Sequence, residues 1–138
     1  MENQSEGASR EIRILVAEDF LEWRIRIRSI LQAVPEWKIV FEASDGAEAV
    51  EKAAELRPDI VVLDVALPRL NGIEVAKRIR QDSPESKVIF FTTNNIPGIE
   101  TAALAMGAAA YVQKKNASTE LIPAIALALH DCPLELTV

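Results

Sequence analysis

Short apolar runs alternate with longer helical periods along this chain. The segments Ile12–Ala17, Trp37–Ala43, Asp59–Asp64, Lys87–Thr92 and Ala109–Gln113 are compact, apolar and rich in β-branched or aromatic side chains, which predicts five strands. Two of them, through Ile60-Val61-Val62-Leu63 and Val88-Ile89-Phe90-Phe91, show no polar alternation. Strands of that kind are buried on both faces, as in a parallel sheet. Between the runs lie five predicted helices, Phe20–Val34, Gly46–Leu56, Asn71–Gln81, Gly98–Met106 and Ser118–His130. In the first, Trp23, Ile27, Ile30, Leu31 and Val34 recur at helical spacing and define one apolar face. The stretch Arg24-Ile25-Arg26-Ile27-Arg28 alternates like a strand. The longer period, and the need for a crossover between parallel strands, decide it for helix. The second helix is rich in Ala and Glu and ends just before Pro58, a helix stop.

Strictly alternating strands and helices imply the α/β class, here a doubly wound five-stranded parallel sheet with five helices on its two sides. No internal repeat or Pro/Gly/Ser linker divides the chain. One domain is expected over 12–131, between a polar N-terminal tail, 1–11, and a short C-terminal tail, 132–138.

Composition narrows the function classes. With 138 residues, 49% of them hydrophobic and 26% charged, the chain has the profile of a globular domain. Its net charge of −6, with no Lys/Arg-rich tract, argues against gripping a nucleic-acid backbone. No apolar run approaches the roughly 20 residues of a membrane-spanning helix. Met1–Arg10 also lacks the apolar centre of a secretory signal, so a cytoplasmic location is expected. The single cysteine, Cys132, forms no internal disulfide, and with only His130 nearby it completes no metal or nucleophile site.

In open α/β sheets ligands gather beyond the carboxyl ends of the strands, so the residues that end each strand carry the candidate chemistry. The first strand runs into Glu18-Asp19, the third ends on Asp64, the fourth on Thr92-Thr93, and the fifth leads to Lys114-Lys115. Each has an ordinary reading taken alone. Asp19 can serve as a helix N-cap, Thr92 as a loop hydroxyl and Lys114 as a solvated charge. Their arrival at one edge of one sheet favours a joint role. Clustered carboxylates repel one another unless a cation intervenes, and a hard divalent ion such as magnesium suits oxygen ligands. An aspartate is a competent nucleophile for forming an acyl phosphate, and Lys114 with Thr92 would hold the phosphoryl oxygens.

At these residues the sequence resembles a known family. Ile14-Leu15-Val16-Ala17-Glu18-Asp19 is similar to the acidic-pair strand of the receiver (CheY-like) domains of two-component response regulators. Asp59 to Gly72, with Pro68 and Gly72 at the expected offsets, resembles their phosphoacceptor segment. Val88-Ile89-Phe90-Phe91-Thr92 resembles the hydroxyl-bearing strand, and Gly107 to Lys114 the lysine-bearing one. The overall style is that of LuxR/NarL-type receivers, and the likeness spans Ile12 to Leu129. It implies a flavodoxin-like (βα)5 fold and a non-enzymatic signalling domain phosphorylated on Asp64 by a histidine kinase or phosphotransfer protein. It also implies magnesium on Asp19, Asp64 and the backbone carbonyl of Ala66, with Glu18 acting through water. Lys114 would contact the phosphoryl group, and Thr92 and Tyr111 would form the coupled switch. Glu18 stands in place of the more common Asp. Thr93 and Asn94 follow the hydroxyl where a small residue is frequent. Ala110 and Lys115 replace a frequent Gly and a frequent Asp or Pro.

Two other classes fit less well. A phosphatase of the haloacid dehalogenase type needs a second acid two residues after its nucleophile, where this chain has Ala66. A nucleotide or flavin module needs a phosphate loop after the first strand, where Glu18-Asp19-Phe20 would repel phosphate. The last helix, reading Leu121 to Leu129 with almost no polar face, points to a homodimer or partner surface within 98–130. Pro123 in that helix should cost one backbone hydrogen bond or bend the helix start.

Overall fold

The computed structural model describes residues 11–67, 70–93 and 98–130. The expected tails, apart from Glu11, lie outside the described residues, as do Cys132, Pro68 and Asn94. The strands are β1 (Ile12–Ala17), β2 (Trp37–Ala43), β3 (Ile60–Leu63), β4 (Lys87–Thr92) and β5 (Ala110–Gln113). The helices are α1 (Leu21–Leu31), α2 (Gly46–Leu56), α3 (Gly72–Asp82), α4 (Ile99–Ala105) and α5 (Ala117–His130), with a single turn of 3₁₀ helix at Lys114–Asn116 ahead of the last. The expected alternation is present throughout, and differences are confined to one to three residues at element ends.

All five strands are parallel, in the order β2-β1-β3-β4-β5. Because successive strand residues face opposite ways, the sheet feeds two separate cores. Leu15, Ala17, Val61, Leu63, Val88 and Phe90 pack with α2, α3 and α4, whereas Ile14, Val16, Ile60, Val62, Ile89, Phe91 and Val112 pack with α1 and α5. Every residue of β3 is buried, as its unbroken apolar run foretold. Full burial of each large side chain contributes about 1.5–3 kcal/mol. The doubly wound architecture follows from this division. After β1 the chain turns to one face, and after β3 to the other, which opens a crevice at the carboxyl ends of those two neighbouring strands.

Local chemistry sets the helix starts. The Asp45 carboxylate accepts the Glu48 amide at 2.9 Å while Glu48 accepts the Ser44 amide at 3.0 Å, a reciprocal cap for α2. The Asn71 side chain caps α3 by accepting the Glu74 amide at 3.0 Å. Arg57 closes α2 in the left-handed conformation, φ 48°, immediately before Pro58. In α1, Ile27 and Leu31 are buried with Trp23 and Ile30 partly so, which is the face the spacing predicts, while Val34 is half-buried beyond the end of the helix. The expected cost of Pro123 is local, since α5 continues through it to His130. No helix among the described residues is long and apolar enough to cross a membrane.

Gly72 ties α3 to the end of β3. Its amide donates to the Val65 carbonyl at 2.8 Å, and a Cβ at this position would stand 2.5 Å from the Asp64 carbonyl oxygen and 2.6 Å from Val65 Cα. Both obstacles are backbone and cannot swing aside. Gly72→Ala is therefore expected to lower stability by about 1–3 kcal/mol in urea denaturation, the cost of overpacking a tight site.

Candidate functional site

The strand ends converge as the chain order requires. Glu18 and Asp19 follow β1, Asp64 follows β3, Thr92 closes β4 and Lys114 follows β5. The Asp64 amide donates to the Ala17 carbonyl at 3.0 Å, continuing the β1–β3 ladder one residue beyond the strand and fixing the aspartate beside the acidic pair. Glu18, Asp64, Thr92 and Lys114 are buried, each at most 5% exposed, although three of them carry charge. Polar groups rarely tolerate that degree of burial without partners.

The partner is an ammonium. Lys114 Nζ lies 2.6 Å from Glu18 Oε1 and 3.1 Å from Asp64 Oδ2, so one cation joins two buried carboxylates. The remaining oxygens are held by backbone. Asp64 Oδ1 accepts the Ala66 amide at 3.0 Å, and Glu18 Oε2 accepts the Phe20 amide at 3.0 Å. Burial pushes the Glu18 carboxyl above the usual carboxylate range, and the Asp64 charge adds to this, while the Lys114 ammonium and the Phe20 amide pull the other way. Glu18 thus binds its proton more tightly in the folded chain than in the unfolded one, so its ionised form costs stability that a nearby cation can offset.

Asp19 completes the acidic group. Glu18, Asp19 and Asp64 each present a carboxylate oxygen, and these atoms lie within 4.8 Å of one another. The capping reading of Asp19 is not what the structure contains. Phe20 occupies the N-cap of α1 and no side chain caps that helix, so no capping bond occupies the Asp19 carboxylate. Three carboxylates against one ammonium leave two negative charges uncompensated when all are ionised, which is the charge of one divalent cation. Oxygen donors at this spacing suit a hard ion.

The other predicted residues sit nearby in distinct roles. Ala66 lies in the turn after Asp64 and its amide touches the carboxylate. Thr92 is buried at the end of β4, opposite Gln113, and Tyr111 pairs with Phe90 in the same two strands. Tyr111 is half-buried against the core beneath α2, α3 and α4; burial, then the Glu100 charge, pushes its hydroxyl pKa up, so it stays neutral.

Three residues at the site were not singled out in the sequence. Arg24 donates to the backbone carbonyls of Glu18 at 2.8 Å and Asp19 at 3.4 Å, and its guanidinium also pairs with Glu42 at 3.4 Å. Trp23 and Phe91 place their rings 5.2 and 5.8 Å from Lys114 Nζ. Trp23 was legible only as part of the apolar face of α1, and Phe91 only as strand core. Arg24 lay in the alternating Arg-Ile stretch, where nothing in the pattern distinguishes a backbone clamp from a solvated charge.

Comparison with known proteins agrees with this geometry. Residues 14–126 match the family described as the response regulator receiver domain. A protein-glutamate methylesterase/protein-glutamine glutaminase of Thermotoga maritima is 40% identical over 114 residues, covering 81% of this chain and 33% of that protein. The response regulator GacA of Pseudomonas viridiflava is 34% identical, covering 84% of this chain and 54% of that protein. The chain therefore spans between a third and about half the length of these relatives. Among solved structures, the response regulator domain of Thermotoga maritima CheB superposes with a TM-score of 0.82 at 34% identity, covering 90% of this chain and all of that one. The receiver domain of Mycobacterium tuberculosis NarL gives 0.82 at 28% identity, covering 89% and 99%.

Removing the shared cation should expose its importance. Lys114→Met leaves Glu18 and Asp64 buried and unpaired, and is expected to cost about 3–5 kcal/mol in denaturant unfolding. Millimolar magnesium is expected to restore part of that loss, because it replaces the missing positive charge among the same carboxylates.

Proposed function

Since the chain belongs to the response regulator receiver domain family, we propose that it is phosphorylated on Asp64 and that Glu18, Asp19, Thr92 and Lys114 serve that reaction. The observation that carries the reading is the buried Asp64 carboxylate, held at one oxygen by the Ala66 amide and at the other by Lys114, with two further carboxylates within 4.8 Å. A carboxylate so fixed is aimed before its substrate arrives, which is how positioning lowers a barrier.

In the reaction an Asp64 carboxylate oxygen attacks the phosphorus of the donor. The new O–P bond forms as the bond from phosphorus to the donor atom breaks, and the leaving group departs with the electron pair. Asp64 exchanges a single negative charge for the roughly two of an acyl phosphate. Lys114 and Thr92 would hold the phosphoryl oxygens. Magnesium, held by Asp19, Asp64 and the Ala66 carbonyl with Glu18 behind, would supply charge neutralisation for the incoming group. The added charge would then draw Thr92 inward and let Tyr111 follow, a two-state element biased by new electrostatics.

The donor in this reading is a sensor histidine kinase or a phosphotransfer protein. Both that partnership and a single thiol suit a cytoplasmic protein. This part of the chain acts as a signalling domain and not as an enzyme on other substrates. Some relatives are named as methylesterases and others, such as DegU of Brevibacillus brevis, as transcriptional regulators. An output domain or partner of either type is compatible with the receiver. Leu104 on α4 and Leu127 on α5, 44% and 73% exposed, are apolar side chains within 98–130 available to a second copy or a partner.

Acetyl phosphate with magnesium, followed by intact mass measurement, tests the reading. One added phosphoryl group is expected on the wild-type chain and none on Asp64→Asn. Beryllofluoride with magnesium should in turn shift the spectra of residues around Thr92 and Tyr111. A chain silent to both reagents would not be a working receiver.

A further inference from the structure

Lys114 starts from the end of β5 and reaches past the end of β4 to carboxylates that follow β3 and β1. Its ammonium therefore operates far from its own backbone. A lysine stem has much rotamer freedom, and the flexible chain by itself does not define where the charge sits. In this structure the ammonium has an aromatic floor. The Trp23 ring from α1 lies 5.2 Å from Nζ and the Phe91 ring from β4 lies 5.8 Å away. The two rings meet edge to face, with centroids 5.5 Å apart at 82°. Arg26 lies 5.6 Å from the Trp23 centroid. The ring is thus held by Phe91 and by a second cation.

We infer that Trp23 is a positioning residue for the phosphoryl-transfer step, acting through the ammonium of Lys114. This rests on the reading that Asp64 is the phosphoacceptor. The carboxylate contacts of Lys114 change during the reaction, because one of its two partners, Asp64, becomes the acyl phosphate. Its contact with the Trp23 ring does not depend on the charge of Asp64. A ring face attracts a cation within about 6 Å, and more strongly where water is excluded, as it is around this lysine, 3% exposed. The aromatic floor therefore keeps the ammonium in register with the phosphoryl group while the carboxylate grip is exchanged.

Fluorinated tryptophans separate this role from simple packing, since they retain the ring's shape while removing negative charge from its face. They are introduced in a Trp37→Phe background, where Trp23 is the remaining tryptophan. The rate of phosphorylation by acetyl phosphate, read by intact mass, is expected to fall stepwise with fluorination, by roughly fivefold across the series. Trp23→Phe should retain most of the rate and Trp23→Leu should lose more than any fluorinated ring. In a Lys114→Met background the fluorination series should be flat. A rate indifferent to fluorination, or one falling equally without Lys114, would overturn the inference while leaving Asp64 as acceptor. A wild-type chain that takes up no phosphoryl group would overturn both.

Discussion

One buried ammonium shared by two buried carboxylates is the interaction around which this domain is arranged. Lys114 satisfies Glu18 and Asp64 together, and without it both acids would lie buried with no opposite charge beside them. The sharing places strict demands on the chain. Four strands must end at one level, and β1, β3, β4 and β5 must be adjacent in that order. The turn after β3 must also be tight enough to return an amide to Asp64 from Ala66. Much of the regular architecture can be read as what allows a lysine from one strand to reach acids from two others.

That arrangement leaves the site short of positive charge. The ammonium offsets one of three carboxylates, and the excess negative charge is of the size that a divalent cation would balance. Glu18 shows the same tension within one side chain: burial favours its proton while the neighbouring cation favours its charge. Stability and function draw on the same electrostatics here, because a site fully neutralised by protein groups alone would have little left to attract a metal.

The fold was legible because its determinants are periodic along the chain. The unbroken apolar run of β3 announces burial on both faces, and the spacing of Trp23, Ile27 and Leu31 announces a helix face. Once the strands were placed, the acids, Thr92 and Lys114 fell at one edge without further information. What the pattern could not supply is the direction of a side chain between elements. Asp19 read equally well as a cap or a ligand, and the extended Phe20 at the cap position removes the first of these readings. Trp23 read as core, which is half correct, since its ring packs on Phe91 while its face is turned to a charge from β5. Arg24 sits among other arginines, and its grip on the Glu18 and Asp19 carbonyls depends on how α1 departs from β1. Such contacts arise from tertiary geometry and leave no trace in spacing.

The sheet also divides the described residues into two separate apolar cores, one on each face. The aromatic floor beneath Lys114 belongs to the layer of α1 and α5, whereas Tyr111 packs into the layer of α2, α3 and α4. Lys114 and Tyr111, the two side chains proposed to respond to a change at Asp64, are therefore backed by different cores, the first on the side of the exposed Leu127 and the second on the side of the exposed Leu104. A partner seated over α5 would thus lie on a different layer of the fold from one seated over α4.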